Sequence, residues 1–169
     1  LAAYTYDGVS AEELHALGKR EVIALTDQID AALTEAGFTE GTVAERLVAL
    51  AALPEQAYPD TEEGRIALLE RMRQLEQKAE SALGSEIPKL PKTRVAIRAV
   101  PDFLQNSSPS AFYSAAPANG TAPGVFEINL KDMTDWPDFT LATLVYHETL
   151  PGHHLESAVA AERANLPLA

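Results

Sequence analysis

The sequence predicts an α+β protein that is mostly α-helical. Residues 1–84 carry apolar side chains at helical spacing. Residues 93–130 contain short alternating and β-branched runs, which are typical of strands. A last apolar run then leads into a histidine cluster at residues 147–154. Because helices and strands occur in blocks and do not alternate as in βαβ units, we predict N-terminal helices, a small β-sheet and one motif-bearing helix.

Three helices are predicted in the first part of the chain. The residues expected to precede them are Ser10, Thr42 and Thr61. Glu13 and Glu45 complete capping boxes for the first two helices, since each stands three positions after the capping hydroxyl. The residues expected to end the helices are Gly37, Pro54 and Gly84. No functional residue is evident here, so we interpret residues 1–84 as a helical scaffold.

Three strands and a long last helix are predicted after a proline-containing connector. The strands are expected at residues 93–100, 111–115 and 125–130, and the helix from about Phe139 toward Arg163. Residues 85–169 should therefore hold the small sheet and the metal-motif helix. Together with the scaffold they are interpreted as one structural domain, truncated at its C-terminus.

Composition argues against several classes of function. The formal net charge of −12 argues against nucleic acid or an anionic membrane surface as a partner. No apolar run reaches about 18 residues, the length that indicates a transmembrane helix, so no membrane span is expected. The chain has no cysteine. Any bound metal must therefore be held by histidine and carboxylate side chains.

The histidine cluster departs from the usual zinc-peptidase helix. In the H-E-x-x-H pattern, one helical turn aligns two imidazoles on a metal and leaves the glutamate beside its water. Here the position four residues after His147 is Pro151, which cannot bind a metal. His154 would lie about 10 Å from His147 along a straight helix, too far for one zinc ion with ligands about 2 Å away.

A proline–glycine interruption resolves this conflict. Pro151 clashes with the preceding turn, and Gly152 allows unusual dihedral angles, so together they are expected to loop out about two residues. That would bring His153 to the place of the second ligand. We therefore predict His147 and His153 as the metal ligands, with His154 as the fallback.

Glu148 follows the first predicted ligand directly, and we predict it to be the general base. Its carboxylate would take a proton from a zinc-activated water molecule and pass it to the leaving amine. The alternative is that the histidines are surface residues of a plain helix.

The segment His147–Leu155 resembles the H-E-x-x-P-G-H signature of the bacterial family "domain of unknown function 885", which is treated as a relative of the gluzincin metallopeptidases. The resemblance extends to residues 10–18, 101–104, 111–113 and 123–129, and covers essentially the whole chain. It implies a mostly helical, larger zincin-like fold, longer than this chain, with a catalytic zinc.

The resemblance also implies a third metal ligand, a glutamate on a later helix. The chain ends at Ala169 before such a segment, and the ligand is not expected within it. Glu156 and Glu162 lie on the motif helix and do not match that segment. A chain without the third ligand is expected to bind zinc weakly and to be inactive alone.

The gluzincin resemblance suggests where a substrate would bind. An edge strand beside the motif helix pairs with substrate backbone in those enzymes, and residues 125–130, with Glu127 and Asn129, are the candidate. Tyr113 is a candidate donor to an oxyanion. The alternatives are a purely structural strand and a core aromatic residue.

We therefore expect a zinc-dependent hydrolase, a metallopeptidase, acting on a peptide substrate. The expected partners are the remainder of its own polypeptide or a second copy. Export to the periplasm is favoured over a cytoplasmic location, because members of the family often follow export signals. The alternatives are a metal-binding or sensor module without turnover, and a structural helical domain without metal.

Overall fold

A computed structural model of the chain describes residues 8–87, 90–117 and 121–162. The elements in these ranges follow the predicted order, and the mostly helical α+β class is confirmed. They are α1 (Ala11–Glu35), α2 (Val43–Ala51), α3 (Glu62–Glu86), β1 (Val95–Ala99), β2 (Ala111–Ser114), β3 (Gly124–Ile128), α4 (Asp138–Glu148) and α5 (His153–Glu162).

The chain divides into two compact units, residues 1–53 and 54–169. The predicted boundary near residue 84 does not separate them, because α3 belongs with the sheet. Leu68, Met72 and Leu75 of α3 are buried in the same core as the strands and α4. Residues 54–84 are therefore part of the unit that carries the histidine cluster.

The first unit contains α1 and α2, and both predicted capping boxes are confirmed. At α1 the Glu13 backbone N–H donates to the Ser10 hydroxyl, while the Ser10 N–H donates to the Glu13 carboxylate. The buried side chain of Arg46, on α2, pairs with Asp30 of α1 and donates to the Phe38 carbonyl at 3.1 Å. This hydrogen-bonded pair joins the two helices.

Helix α3 is longer than predicted. It passes through Gly84 and ends at Glu86, so the predicted stop at Gly84 is wrong. Ile87 is the first residue with extended backbone angles, φ −102° and ψ 115°. Because Ile87 precedes a proline, its helical conformation is disfavoured, and this restriction ends the helix more effectively than an interior glycine does.

The sheet has the strand order β1-β3-β2. Strand β3 is parallel to β1 and antiparallel to β2, and Phe126 lies opposite Ile97 on one side and Tyr113 on the other. The expectation that β3 is an edge strand is therefore wrong. Both of its edges are already paired, so no substrate backbone can add to it in this sheet.

The core of the second unit lies between one face of the sheet and the helices α3 and α4. Alternation along β3 buries every second residue. The buried side chains are Leu68, Met72, Leu75, Ile97, Phe126, Ile128, Leu130, Met133, Trp136, Leu141 and Val145. Leu141 and Val145 come from α4, so this core holds the helix that ends in the histidine cluster.

A polar cluster fixes the start of α4. Asp138 accepts hydrogen bonds from the Arg71 guanidinium at 3.0 and 3.2 Å and from the Tyr58 hydroxyl at 2.5 Å. A carboxylate in the first helical turn also interacts favourably with the helix dipole. No helix in the described part of the chain is long and apolar enough to cross a membrane.

Candidate metal centre

The predicted interruption of the last helix is confirmed. Helix α4 ends at Glu148 and α5 begins at His153, and the Leu150–Pro151 peptide bond between them is cis. Thr149 is fully buried, and its backbone N–H and hydroxyl both donate to the Val145 carbonyl, at 2.8 and 2.6 Å. These bonds satisfy the end of α4 and turn the chain back beside its last residues.

This turn requires glycine at position 152 because there is no room for a side chain, and not because the backbone angle is unusual. Among the described residues, the glycines with positive φ are Gly8, Gly37 and Gly41. A Cβ atom built on Gly152 would lie 2.6 Å from the Tyr146 carbonyl oxygen and closer still to the His147 carbonyl. The expected reason, conformational freedom, is therefore wrong: the backbone of Gly152 packs directly on the last turn of α4.

The turn brings His147, Glu148 and His153 together. One ligand atom from each residue lies within 4.8 Å of the other two. The rings of His147 and His153 meet edge to face, with centroids 4.7 Å apart and an angle of 85° between the planes. The described residues contain no other group of three histidine, aspartate or glutamate side chains with this closeness.

The three side chains differ in exposure but share a lack of protein partners. Both histidines are exposed, while Glu148 is only 8% exposed. Within the described ranges, no hydrogen-bond partner reaches the nitrogens of either imidazole or the Glu148 carboxylate. A largely buried carboxylate normally has a donor or a cation beside it. The Glu148 oxygens are not among the fully buried side-chain atoms that lack a partner in the described residues, so a cation or solvent can reach them.

The donor set fits a metal ion. Atoms that share one zinc ion at about 2 Å lie about 3 to 4 Å apart, so only a small adjustment from the observed arrangement is needed. Imidazole nitrogen and carboxylate oxygen suit several divalent metals, and the absence of thiolate disfavours soft monovalent ones. His147 and His153 would supply one nitrogen each, with the Glu148 carboxylate beside them.

His154 lies outside this group, although it is adjacent to His153. Its ring is 2% exposed and both nitrogens are engaged, Nδ1 with the Tyr113 hydroxyl at 3.0 Å and Nε2 with the Thr93 carbonyl at 2.9 Å. Burial lowers the pKa of His154, although the bond to the Thr93 carbonyl opposes this. With both nitrogens engaged in hydrogen bonds, the ring has no lone pair free for a metal.

Tyr113 is bound to His154 and does not face the metal group as a free donor. Burial raises the pKa of its hydroxyl, against a hydrogen bond from the Ala116 backbone N–H. Its side chain lies on the core face of the sheet, where Gly124 leaves room for it. In this arrangement the Tyr113 hydroxyl bonds to a buried histidine, and its oxyanion role stays a prediction.

Glu127 and Asn129 are also outside the group. Glu127 points to the sheet face opposite the buried Phe126 and pairs with Arg98 at 3.3 Å. The Asn129 amide nitrogen donates to the Gln105 carbonyl at 2.7 Å, and its oxygen accepts from the Lys131 N–H at 3.1 Å. Asn129 thus holds the loop that precedes β2.

The two glutamates of α5 do not join the metal group either. Glu156 is exposed. The Glu162 carboxylate accepts the backbone N–H groups of Lys92 and Thr93, at 2.6 and 3.2 Å. As expected from their place on the motif helix, neither completes the ligand set.

The contacts that support the site could not be found from the sequence. Thr93 contributes a backbone carbonyl, which carries no residue-type signal. Asp138 and Tyr58 are 80 positions apart and meet only in the folded chain. A weak signal existed in Asp138, since an acidic residue directly after a proline at a helix start is typical of a first turn.

Comparison with known proteins gives a family and shows similarity to solved structures. The model of the family described as "Bacterial protein of unknown function (DUF885)" matches residues 1–169. Among solved structures, the chain is similar to "the putative lipoprotein from Colwellia psychrerythraea", with 33% identity and a TM-score of 0.89. The match covers 94% of this chain and 27% of that chain. No curated protein matches.

Proposed function

We propose, from the premise that this chain belongs to DUF885, the bacterial family of unknown function, that it carries the metal-binding turn of a zinc-dependent metallopeptidase. One observation carries the proposal. His147, Glu148 and His153 converge across a glycine-dependent turn with their ligand atoms within 4.8 Å and without protein hydrogen-bond partners among the described residues. A packed helical scaffold has no need of such a group.

In this proposal the two histidines hold zinc and Glu148 moves the proton. A bound zinc ion supplies a Lewis acid that polarises a peptide carbonyl and acidifies a water molecule. The Glu148 carboxylate would accept a proton from the water molecule that attacks the peptide carbonyl, and would deliver it to the amine as the C–N bond breaks. General-base assistance of this kind contributes a factor of about 100 to 10,000 to the rate. Glu148 is largely buried, and one of its carboxylate oxygens lies within 4.8 Å of a ring nitrogen of each histidine.

A catalytic zinc has three protein ligands, so a further ligand is needed. No other histidine, aspartate or glutamate of the described residues joins the group. We therefore propose a carboxylate from outside these residues, in the remainder of the polypeptide or in a second copy. The chain spans 27% of the length of the structure it resembles, so the activity of a whole protein is itself part of the proposal.

The proposed substrate is a peptide, and the sheet offers one place for its backbone. The backbone N–H of Asn129, directly after β3, donates to the carbonyl of Ser110, directly before β2. Because backbone N–H and C=O groups point to alternate sides along a strand, those of Ala111 and Tyr113 point away from β3. The outer edge of β1 faces α3, where Arg73 donates to the Ile97 carbonyl. The outer edge of β2 therefore replaces β3 as the proposed pairing edge.

The proposed location is exported, in keeping with the similar structure's description as a lipoprotein. The second candidate function is a metal-binding or sensor module that does not turn over a substrate. It is favoured by the exposure of both histidines, because an exposed metal group is also open to a partner protein. Turnover separates the two candidates.

The test uses full-length protein with His147→Ala and Glu148→Gln, assayed for zinc stoichiometry and for cleavage of a peptide library. His15→Ala and Glu40→Gln make the same side-chain changes at exposed positions outside the metal group and serve as controls. We expect His147→Ala to lose zinc and cleavage together. We expect Glu148→Gln to retain zinc and to lose cleavage by a factor of about 100 or more.

Each other outcome removes part of the proposal. Unchanged zinc content in His147→Ala overturns the ligand assignment. Zinc loss in Glu148→Gln makes Glu148 a ligand and ends its role as the base. Zinc binding without cleavage by the wild-type protein leaves the sensor module as the function.

A further inference from the structure

His154 connects the start of α5 to both outer strands of the sheet. Its Nε2 lies 2.9 Å from the carbonyl of Thr93, which leads into β1, and its Nδ1 lies 3.0 Å from the hydroxyl of Tyr113, on β2. A carbonyl oxygen only accepts, so Nε2 carries the hydrogen. In a neutral ring Nδ1 then accepts from the Tyr113 hydroxyl. One buried imidazole thus makes two directional bonds, one to the segment that precedes β1 and one to β2.

The Tyr113 side of this contact is closely packed. The ring lies so near Gly124 that a Cβ there would be 2.9 Å from ring carbons. The ring of Tyr113 meets the ring of His154 edge to face, with centroids 5.7 Å apart. The tyrosine is therefore fixed between Gly124 and the His154 ring.

The direction of His153 depends on how α5 is rotated. Consecutive residues of an α-helix point about 100° apart, so fixing His154 toward the sheet directs His153 away from it. His153 then faces the ring of His147 at 4.7 Å. At the other end of α5, Glu162 accepts the N–H groups of Lys92 and Thr93, which holds the helix to the segment that His154 also contacts.

We propose that Tyr113 and His154 are positioning residues that set the orientation of the second metal ligand, His153. This inference rests on the proposed function, in which His153 binds zinc. The pair touches neither metal nor substrate. It acts by holding α5 in the one rotation at which the rings of His147 and His153 converge, as supporting hydrogen bonds do in metal sites generally.

The test compares Tyr113→Phe with Tyr58→Phe in the full-length protein. Each variant removes one partly buried hydroxyl that donates to a side chain, the first to His154 and the second to Asp138. The readouts are the zinc dissociation constant, the absorption spectrum with Co²⁺ in place of zinc, and hydrogen exchange in the metal-free protein. His154→Gln is the second variant, in case Tyr113→Phe does not fold.

We expect Tyr113→Phe and His154→Gln to bind zinc about tenfold or more weakly, with a changed Co²⁺ spectrum. Tyr58→Phe should lose stability without either effect. In the metal-free protein, exchange of the Leu155 and Glu156 amides, which bond to the Thr149 and Gly152 carbonyls, should accelerate only in the first two variants.

Equal zinc affinity and equal spectra in the two tyrosine variants overturn the positioning role and leave the proposed function intact. Complete loss of zinc in His154→Gln with no change in Tyr113→Phe makes His154 a ligand, which also overturns it. If the wild-type protein binds no metal, the proposed function fails. Hydrogen exchange in the metal-free protein then tests whether Tyr113 and His154 hold α5. Unchanged exchange at Leu155 and Glu156 in the two variants disproves that role.

Discussion

Replacement of Gly152 by alanine tests the turn on which the metal group depends. The added Cβ would lie 2.6 Å from the Tyr146 carbonyl oxygen and closer to the His147 carbonyl oxygen and carbon. Carbon and oxygen atoms in ordinary contact are more than about 3 Å apart, so the backbones must separate by more than about 1 Å. Because both sides are backbone, no side-chain rotation can relieve the overlap.

The expected cost follows from that displacement. Overpacking of a rigid site costs about 1 to 3 kcal/mol, and we expect Gly152→Ala to lie at the upper end of this range. The same shift moves His153 away from His147, and a misplacement of about 1 Å can lower a catalysed rate by about 100-fold. Zinc affinity should fall together with stability, since one movement causes both.

The assay is urea unfolding followed by circular dichroism, with zinc affinity measured on the same samples. Gly84→Ala is the matched control, because an added Cβ there meets nothing within 4 Å and the residue lies inside α3. The control should be neutral or stabilised by up to about 1 kcal/mol. If Gly152→Ala unfolds at the same urea concentration as Gly84→Ala and binds zinc as tightly as the unaltered protein, the close-approach argument is refuted.

Two further predictions concern the supports of the fold. Burial alone would raise the pKa of Asp138, but the hydrogen bonds from Arg71 and Tyr58 outweigh it and hold the pKa below its usual value. The stabilisation they give is therefore present above about pH 4 and lost as the pH falls through the lowered pKa. The wild type should be more stable than Asp138→Asn in urea unfolding at neutral pH, and this difference in stability should shrink in acid. A difference that does not change with pH would contradict this. Thr42→Ala should lower the free energy of unfolding by about 1 kcal/mol in thermal unfolding, because it removes the α2 cap. Thr39→Ala, at an exposed position, should lower it by less than about 0.5 kcal/mol. Equal losses of stability would exclude capping as the cause.

Local chemistry accounts for what could be predicted about the elements. Ser10 and Thr42 are capping residues because their side-chain oxygens reach backbone N–H groups three positions away, and such contacts are encoded entirely by neighbours. The break before His153 was predictable for the same reason, since proline excludes a continuous helix whatever surrounds it. The end of α3 shows the limit of this reasoning. Both Gly84 and Ile87, which precedes a proline, are possible helix ends, and the helix continues through Gly84 to Glu86.

The choice between His153 and His154 as ligand needed the tertiary structure. The two residues are adjacent and of one type, so sequence spacing could only rank them. Contacts from Thr93 and Tyr113, 61 and 41 positions away, occupy both nitrogens of His154. His153 is left exposed beside His147.

The sequence by itself determined the class of the fold, the order of its elements and the interrupted helix with its cluster of histidine and glutamate. These follow from periodicity, capping and the covalent geometry of proline, which act over a few residues. The tertiary structure alone decided that β3 lies in the middle of the sheet, that Glu127 faces away from the core, and that Gly152 packs on α4. Strand order and side-chain convergence depend on contacts between distant residues, and those contacts exist only once the chain has folded.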